Sequence, residues 1–110
     1  MKSQIKFAEK KLKKALTKLK NSKTEEKELY KWINTAMDHI EENAFCGFQI
    51  AKRLIPKDYE KKFGRIDNLW KYNLPNAWRL IYTIKKEEIV ILSIILEWLP
   101  HKEYKKRFRY

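Results

Sequence analysis

Two glycines, three prolines and one cysteine are all this 110-residue chain holds of the residues that most often make tight turns, stiff linkers and covalent staples. With Gly47 and Gly64 alone, the Gly-rich loops that cradle nucleotide phosphates are absent. A single cysteine, Cys46, makes no internal disulfide and has no partner at metal-ligand spacing, so it reads as a small buried thiol or a bystander. No run approaches ~18 uninterrupted apolar residues, so no membrane span is expected. The start, Met1-Lys2-Ser3-Gln4-Ile5-Lys6, lacks an apolar leader, which gives the expectation of a cytoplasmic protein. No serine stands in a nucleophile elbow, the acids form no convincing metal cluster, and no metal or other cofactor is expected.

Acidic residues are also scarce: 14 against 26 Lys and Arg, a formal charge of +12. Residues 1–24 hold nine Lys and one Glu, residues 25–44 reverse the sign with six acids and two Lys, and residues 45–110 are basic again. A charge of this size on a chain this short favours a polyanionic partner, through its field and through counterion release. Lysine used as general surface filler is the plain alternative.

Apolar residues make up 44% of the chain, enough for one folded domain over 1–110. A helical hairpin is expected over 5–44. Ile5, Ala8, Leu12, Ala15 and Leu19 recur at helical spacing to about residue 20, with a short strand at Gln4–Phe7 as a variant. Ser22-Lys23-Thr24-Glu25 fits a capping box for the second helix, and Thr24 followed by Glu25 and Glu26 is a second possible start; the helix's stripe is Leu29, Trp32, Ile33, Ala36, Met37, Ile40 and Ala44. His39 on that helix has no partner in sequence and reads as a surface or boundary residue. Residues 48–65 read as irregular with a helical turn or two, and Pro56 suits a first helical position.

After Gly64 the period changes from 3.6 to 2, and a β-meander is expected over 66–98. Leu69–Leu74 is its first strand and Pro75-Asn76 a turn. Trp78–Ile84 is the second, with Trp78, Leu80, Tyr82 and Ile84 on one face and Arg79, Ile81 and Thr83 on the other. Ile89–Leu96 is the third, apolar on both faces, as a strand covered on both sides must be. The fold class is therefore α+β, a helical hairpin on a small antiparallel sheet. The hairpin covers only one sheet face, so the basic closing segment, 99–110, is expected to fold back over the other through Leu99, Tyr104 and Phe108.

The stretches "NLWKYNLPNAWRLIYTI" and "IVILSIILEWLPHKEYKKRF" resemble the RelE/ParE superfamily of toxin–antitoxin toxins, particularly archaeal RelE-like members. The specific part lies in 68–108, in the Trp-Arg-Leu-Ile-Tyr strand, the polar turn and the β-branched strand after it. The resemblance implies a RelE-like microbial RNase fold and the toxin of a type II toxin–antitoxin system. Such a toxin is an mRNA interferase, a metal-independent endoribonuclease acting on translating ribosomes and inhibiting translation. Its partners would be a cognate antitoxin protein, mRNA and the ribosome. Arg79 matches the strand arginine that holds the scissile phosphate. Tyr104 lies where RelE carries a tail tyrosine. His101 matches the proton-transferring histidine of the YafQ-type ending. The strand lysines of RelE fall near Trp70 and Tyr72, with Lys71 between them on the opposite face, and Trp98-Leu99-Pro100 stand where an arginine would follow the central strand. That pattern favours the histidine-using version.

The residue chemistry suits this reading. Cleavage by the ribose 2′-OH needs a base, an acid for the leaving 5′-oxygen, and cations for the phosphorane. Histidine titrates near neutrality, and general acid–base help is worth roughly 10²–10⁴-fold. The arginine fork grips two phosphate oxygens. Trp70, Tyr72 and Tyr104 are candidate base-stacking rings, and Lys71, Lys102, Lys105, Lys106 and Arg107 candidate RNA-backbone contacts. Simpler roles stand beside these: Arg79 paired with Glu97 or Glu87, Trp78 and Tyr82 as ordinary core, His101 as an idle tail residue. The alternative function is a non-catalytic binding protein on the same fold, either a ParE-like DNA gyrase inhibitor or a toxin relic that binds RNA or ribosomes. A basic accessory protein of a ribosome or nucleoid is the third.

Overall fold

Ile5 and Phe7 fit two periods, and the sheet decides between them. In the computed structural model, which describes residues 1–109, they belong to a strand, β1 (Gln4–Phe7), rather than to the first helix. Tyr110, the end of the expected closing segment, lies outside the described residues. The elements that follow are α1 (Lys10–Lys20), α2 (Glu25–Glu42), β2 (Phe48–Ile50), α3 (Lys57–Phe63), β3 (Leu69–Asn73), β4 (Arg79–Lys86), β5 (Ile91–Leu99) and α4 (His101–Phe108). Short 3₁₀ turns occupy Ala44–Cys46, Lys52–Leu54 and Pro75–Ala77.

The architecture is α+β, but the sheet is larger than a three-stranded meander. Its five strands run in the order β1-β5-β4-β3-β2. β1 lies parallel to β5, and every other pair is antiparallel, so the sheet is mixed. β1 occupies the Gln4–Phe7 span that the sequence offered as a variant, whereas β2 escaped the sequence reading because its three residues are too short for a period to register. β5 is interior to the sheet, as its two apolar faces require. Ile89, expected inside that strand, is instead 94% exposed in the turn before it.

The expected capping box does not form. Ser22 Oγ donates back to the Lys18 carbonyl at 2.7 Å and closes α1, while Thr24, at φ +57°, makes no side-chain cap. The first turn of α2 carries Glu25, Glu26 and Glu28 at its electropositive end. Pro56 precedes α3 with ψ 138° instead of opening it.

Two apolar layers sandwich the sheet. On one side the α1–α2 hairpin sets Leu16, Leu29, Ile33, Ala36 and Ile40 against Leu80, Tyr82 and Ile95. On the other, α3 and α4 set Tyr59 and Tyr104 against Leu69, Ile81, Leu96 and Leu99, and Phe108 packs onto the same cluster. The segment after β5 thus folds back over the second face. Each fully buried aliphatic contributes ~1.5–3 kcal/mol. A bulge in β5 tunes the second layer: Ile81 pairs with Glu97 and Tyr82 with Ile95, leaving Leu96 as the extra residue. Leu96 and Glu97 both then face α3 and α4, which brings Glu97 within 2.8 Å of Arg107.

Candidate functional site

Alternation along β3 and β4 divides the candidate residues between the two faces. Lys71 is in register with Ile81, and Asn73 with Arg79, so Lys71 and Arg79 are diagonal neighbours on the face that α4 covers. The α4 helix lowers Tyr104 between them. Lys71 Nζ donates to Tyr104 Oη at 3.2 Å and lies 5.2 Å from the centre of its ring, and Arg79 Cζ is also 5.2 Å from that centre. Two cations flanking one electron-rich ring gain from its quadrupole. Both are half-buried, which strengthens their attraction for an anion on that face.

Arg79 is not neutralised by the acids that sequence offered it. Among the described residues, Glu97 pairs with Arg107 at 2.8 Å and Glu87 with Lys85 at 3.7 Å, and no carboxylate pairs with Arg79. Its Nη1 donates to the Trp78 carbonyl at 3.2 Å. Its Nε is buried without a hydrogen-bond partner. A guanidinium that no described carboxylate neutralises, next to a lysine, suits a phosphate or carboxylate.

Tyr104 is only 2% exposed, and its ring stacks on Phe108 at 4.6 Å. As a stacking platform for a base it is therefore corrected: the ring is covered and positions the two cations instead. His101 is the first residue of α4 and is exposed. Because Arg79 pairs with Leu99, His101 stands two residues beyond Arg79's partner, at the same end of the sheet. Lys102, Lys105 and Lys106 are exposed on α4. Arg107 is not a free RNA contact: it is held by Glu97 and lies 5.9 Å from the Tyr59 ring centre, bridging α4 to β5 and α3.

Trp70 and Tyr72 point the other way. Both pack against the hairpin layer, so they do not join Lys71 and Arg79. Trp70 lies against Phe45 and Tyr82. The Tyr72 hydroxyl sits 2.6 Å from His39 Nδ1, tying β3 to α2. Burial, and secondarily the nearby Cys46, push the Tyr72 phenol above its usual range. This contact was invisible in sequence because His39 and Tyr72 are 33 residues apart. Cys46 is exposed, which fits the bystander reading and not the small buried thiol. Next to it, Gly47 is required by close approach: a Cβ there would lie 2.5 Å from the Lys71 carbonyl oxygen and 2.7 Å from the Tyr82 hydroxyl. Tyr82, read as core, is fully buried; it accepts from Gly47 N at 3.2 Å and donates to the Ala44 carbonyl at 2.7 Å.

Two concavities open on the α3–α4 side. One, about 620 Å³, runs between the Lys52–Leu54 turn and α4, with Arg53, Lys57, Lys106 and Arg109 against Asp58 and Glu103. The other, about 440 Å³, lies beside α3, where Glu9 and Lys62 pair at 3.5 Å. Among the described residues, no helix is long and apolar enough to cross a membrane. No protein-family model, curated protein or solved structure matches the chain.

Proposed function

We propose that the chain is a RelE-like toxin of a type II toxin–antitoxin pair, a metal-independent endoribonuclease that cuts mRNA on translating ribosomes. The observation that carries this reading is Arg79: half-buried, without a carboxylate among the described residues, and set against Tyr104 beside Lys71. Lys71 supplies the strand cation that alternation had placed on the face away from Trp70 and Tyr72. A helical hairpin precedes the antiparallel strands and a basic segment follows them, with β1 standing ahead of the hairpin and pairing with β5.

In this reading Arg79 and Lys71 hold the scissile phosphate. The 2′-oxygen forms a bond to phosphorus as its proton leaves to a base. The bond from phosphorus to the 5′-oxygen breaks, and that oxygen takes up a proton. The products are a 2′,3′-cyclic phosphate and a free 5′-hydroxyl. His101 is the proton-transfer group, and Arg79 and Lys71 offset the charge that grows on the phosphorane, an effect worth ~3–4 kcal/mol for one preorganised donor. The antitoxin, a separate protein, would hold this activity in check.

The test is cleavage of mRNA on translating ribosomes by purified protein, compared with Arg79→Ala and His101→Ala. Intact mRNA with the unmodified protein sinks the proposal, as does full activity in both variants. The burial of Tyr104 favours one second reading, a relic that binds RNA without cutting, because it removes a second proton-transfer group from the surface. RNA binding that persists without any cleavage selects that reading. Damage signalling by DNA, with translation unimpaired, selects the gyrase-directed one.

A further inference from the structure

We propose that Phe48 is the base-stacking platform of this site, so that the protein takes single-stranded RNA with one base on Phe48 and the adjoining phosphate on Lys71 and Arg79. The inference rests on the RNA reading above and names residues that reading did not use.

Phe48 is 61% exposed on β2, at the edge of the sheet. Its register partner is Lys71. Residues directly opposite in an antiparallel pair share a face, with Cβ atoms ~4.5–5.5 Å apart. The Phe48 ring therefore stands beside Lys71 on the face that carries Tyr104 and Arg79. The rings expected to stack bases are unsuitable: Trp70 and Tyr72 pack under the hairpin, and Tyr104 is buried. Phe48 is thus the aromatic side chain left in the open beside the cations.

Leaving a phenylalanine in water forgoes burial, and a lone exposed apolar residue is ordinary. What gives this one a ligand is its surroundings. Lys71 lies next to it in the sheet, and Lys52 and Arg53 follow directly after β2, both exposed. Arg53 then lines the 620 Å³ groove with Lys57 and Lys106. An exposed ring set in cations matches single-stranded nucleic acid, which presents flat base faces and a phosphate chain together. An apolar protein surface would not need the cations, and duplex RNA would keep its bases stacked away from the ring.

The experiment is fluorescence anisotropy of a short labelled single-stranded RNA, without ribosomes, titrated with the full chain and with Phe48→Ala, Phe48→Leu and Phe48→Trp. Phe48→Ala is expected to weaken binding about 5- to 150-fold, the range one stacked base supplies. Phe48→Leu should weaken it similarly, and Phe48→Trp should preserve it. Salt dependence should fall in Lys71→Ala and Arg79→Ala and stay unchanged in Phe48→Ala, because only the cations release counterions. Unchanged affinity in Phe48→Ala, or full affinity in Phe48→Leu, overturns the platform. So does an absence of RNA binding by the unmodified chain, or a preference for duplex. Phe48 is exposed, so unchanged thermal unfolding of the variants checks their fold. Failure of the ribosome assay with this pattern intact removes the nuclease alone, and active cleavage with Phe48→Ala binding normally removes the platform alone.

Discussion

The two faces of the sheet treat their polar groups differently. Under the α1–α2 hairpin they are paired: Ser3 Oγ and Ser93 Oγ are 2.7 Å apart, Ser3 Oγ also donates to the Ile40 carbonyl, and Tyr82 uses its hydroxyl twice. On the α3–α4 side the pairing is looser: among the described residues Arg79 Nε is buried without a hydrogen-bond partner, and the buried Glu9 Oε1 is met only by the ammonium groups of Lys62 at 3.5 Å and Lys11 at 3.7 Å. An unmade buried hydrogen bond costs ~1–3 kcal/mol, so a chain that satisfies one face has not done so on the other by default. The hairpin face reads as the part that holds the fold, and the α4 face as the part where unmet bonding capacity is kept for something else.

The comparison can be broken by mutation. The largest effect is expected at Ile33, fully buried under the hairpin: Ile33→Ala should cost ~2–5 kcal/mol in chemical denaturation. Arg79→Ala, which removes a hydrogen bond and a ring contact, should cost no more than ~1–2 kcal/mol. Under the proposed function it should lower mRNA cleavage by about 10²–10³-fold, measured in single turnover on ribosomes. A loss of stability at Arg79 comparable to that at Ile33 would erase the distinction between the faces.

The buried tyrosines sharpen it. Tyr82→Phe removes a hydroxyl that serves both Gly47 N and the Ala44 carbonyl and should destabilise by ~1–3 kcal/mol. Tyr59→Phe removes a hydroxyl that meets only the Glu97 and Arg107 side chains and should cost less, up to ~1 kcal/mol. Tyr59 also gives a pH signature. Burial first, then the Glu97 carboxylate, hold its phenol far above the ordinary value of 10. Above that pH the unfolded chain loses a proton that the folded chain keeps, so stability is full below pH 10 and falls as pH rises beyond it. Tyr59→Phe should flatten that fall by up to ~1.4 kcal/mol per pH unit, seen in denaturation at pH 9 to 11. The smallest effect belongs to the β3–β4 turn, where Ala77 holds φ +61°; Ala77→Gly should stabilise by up to ~1 kcal/mol in thermal unfolding.

Legibility in sequence followed the length of the pattern. The stripe of α2 could be read residue by residue, since Leu29, Ile33, Ala36 and Ile40 are all buried. In α1 the stripe was misplaced by one position: Leu16 is buried and Ala15 exposed, because Ile5 and Ala8 belong to the strand side of the break and drew the phase off. The alternation of β4 gave the faces of Leu80, Ile81 and Tyr82. For the candidate site, sequence supplied Arg79, Lys71 and Tyr104, and the structure brings these three together. The fold-back through Tyr104 and the placing of Trp70 and Tyr72 opposite Lys71 were legible; the depth at which Tyr104 is covered and the holding of Arg107 by Glu97 were not. Those outcomes depend on a bulge and on the packing of α4, which are properties of pairing rather than of any single segment. Phe48 was missed because three residues of strand leave no period to read.

The parallel pairing of β1 with β5 also sets an order in time. Ser3 and Ser93, which meet across the finished fold, are 90 residues apart in the chain. At about 5–20 residues per second of synthesis, the first strand waits roughly 5–20 s for its neighbour. Until then the hairpin has half a sheet to rest on, and α4, which follows β5, has not yet placed Tyr104 between Lys71 and Arg79. The cluster of Lys71, Arg79 and Tyr104 is thus incomplete until β3, β4 and α4 have all been made, the last of its members 33 residues after the first.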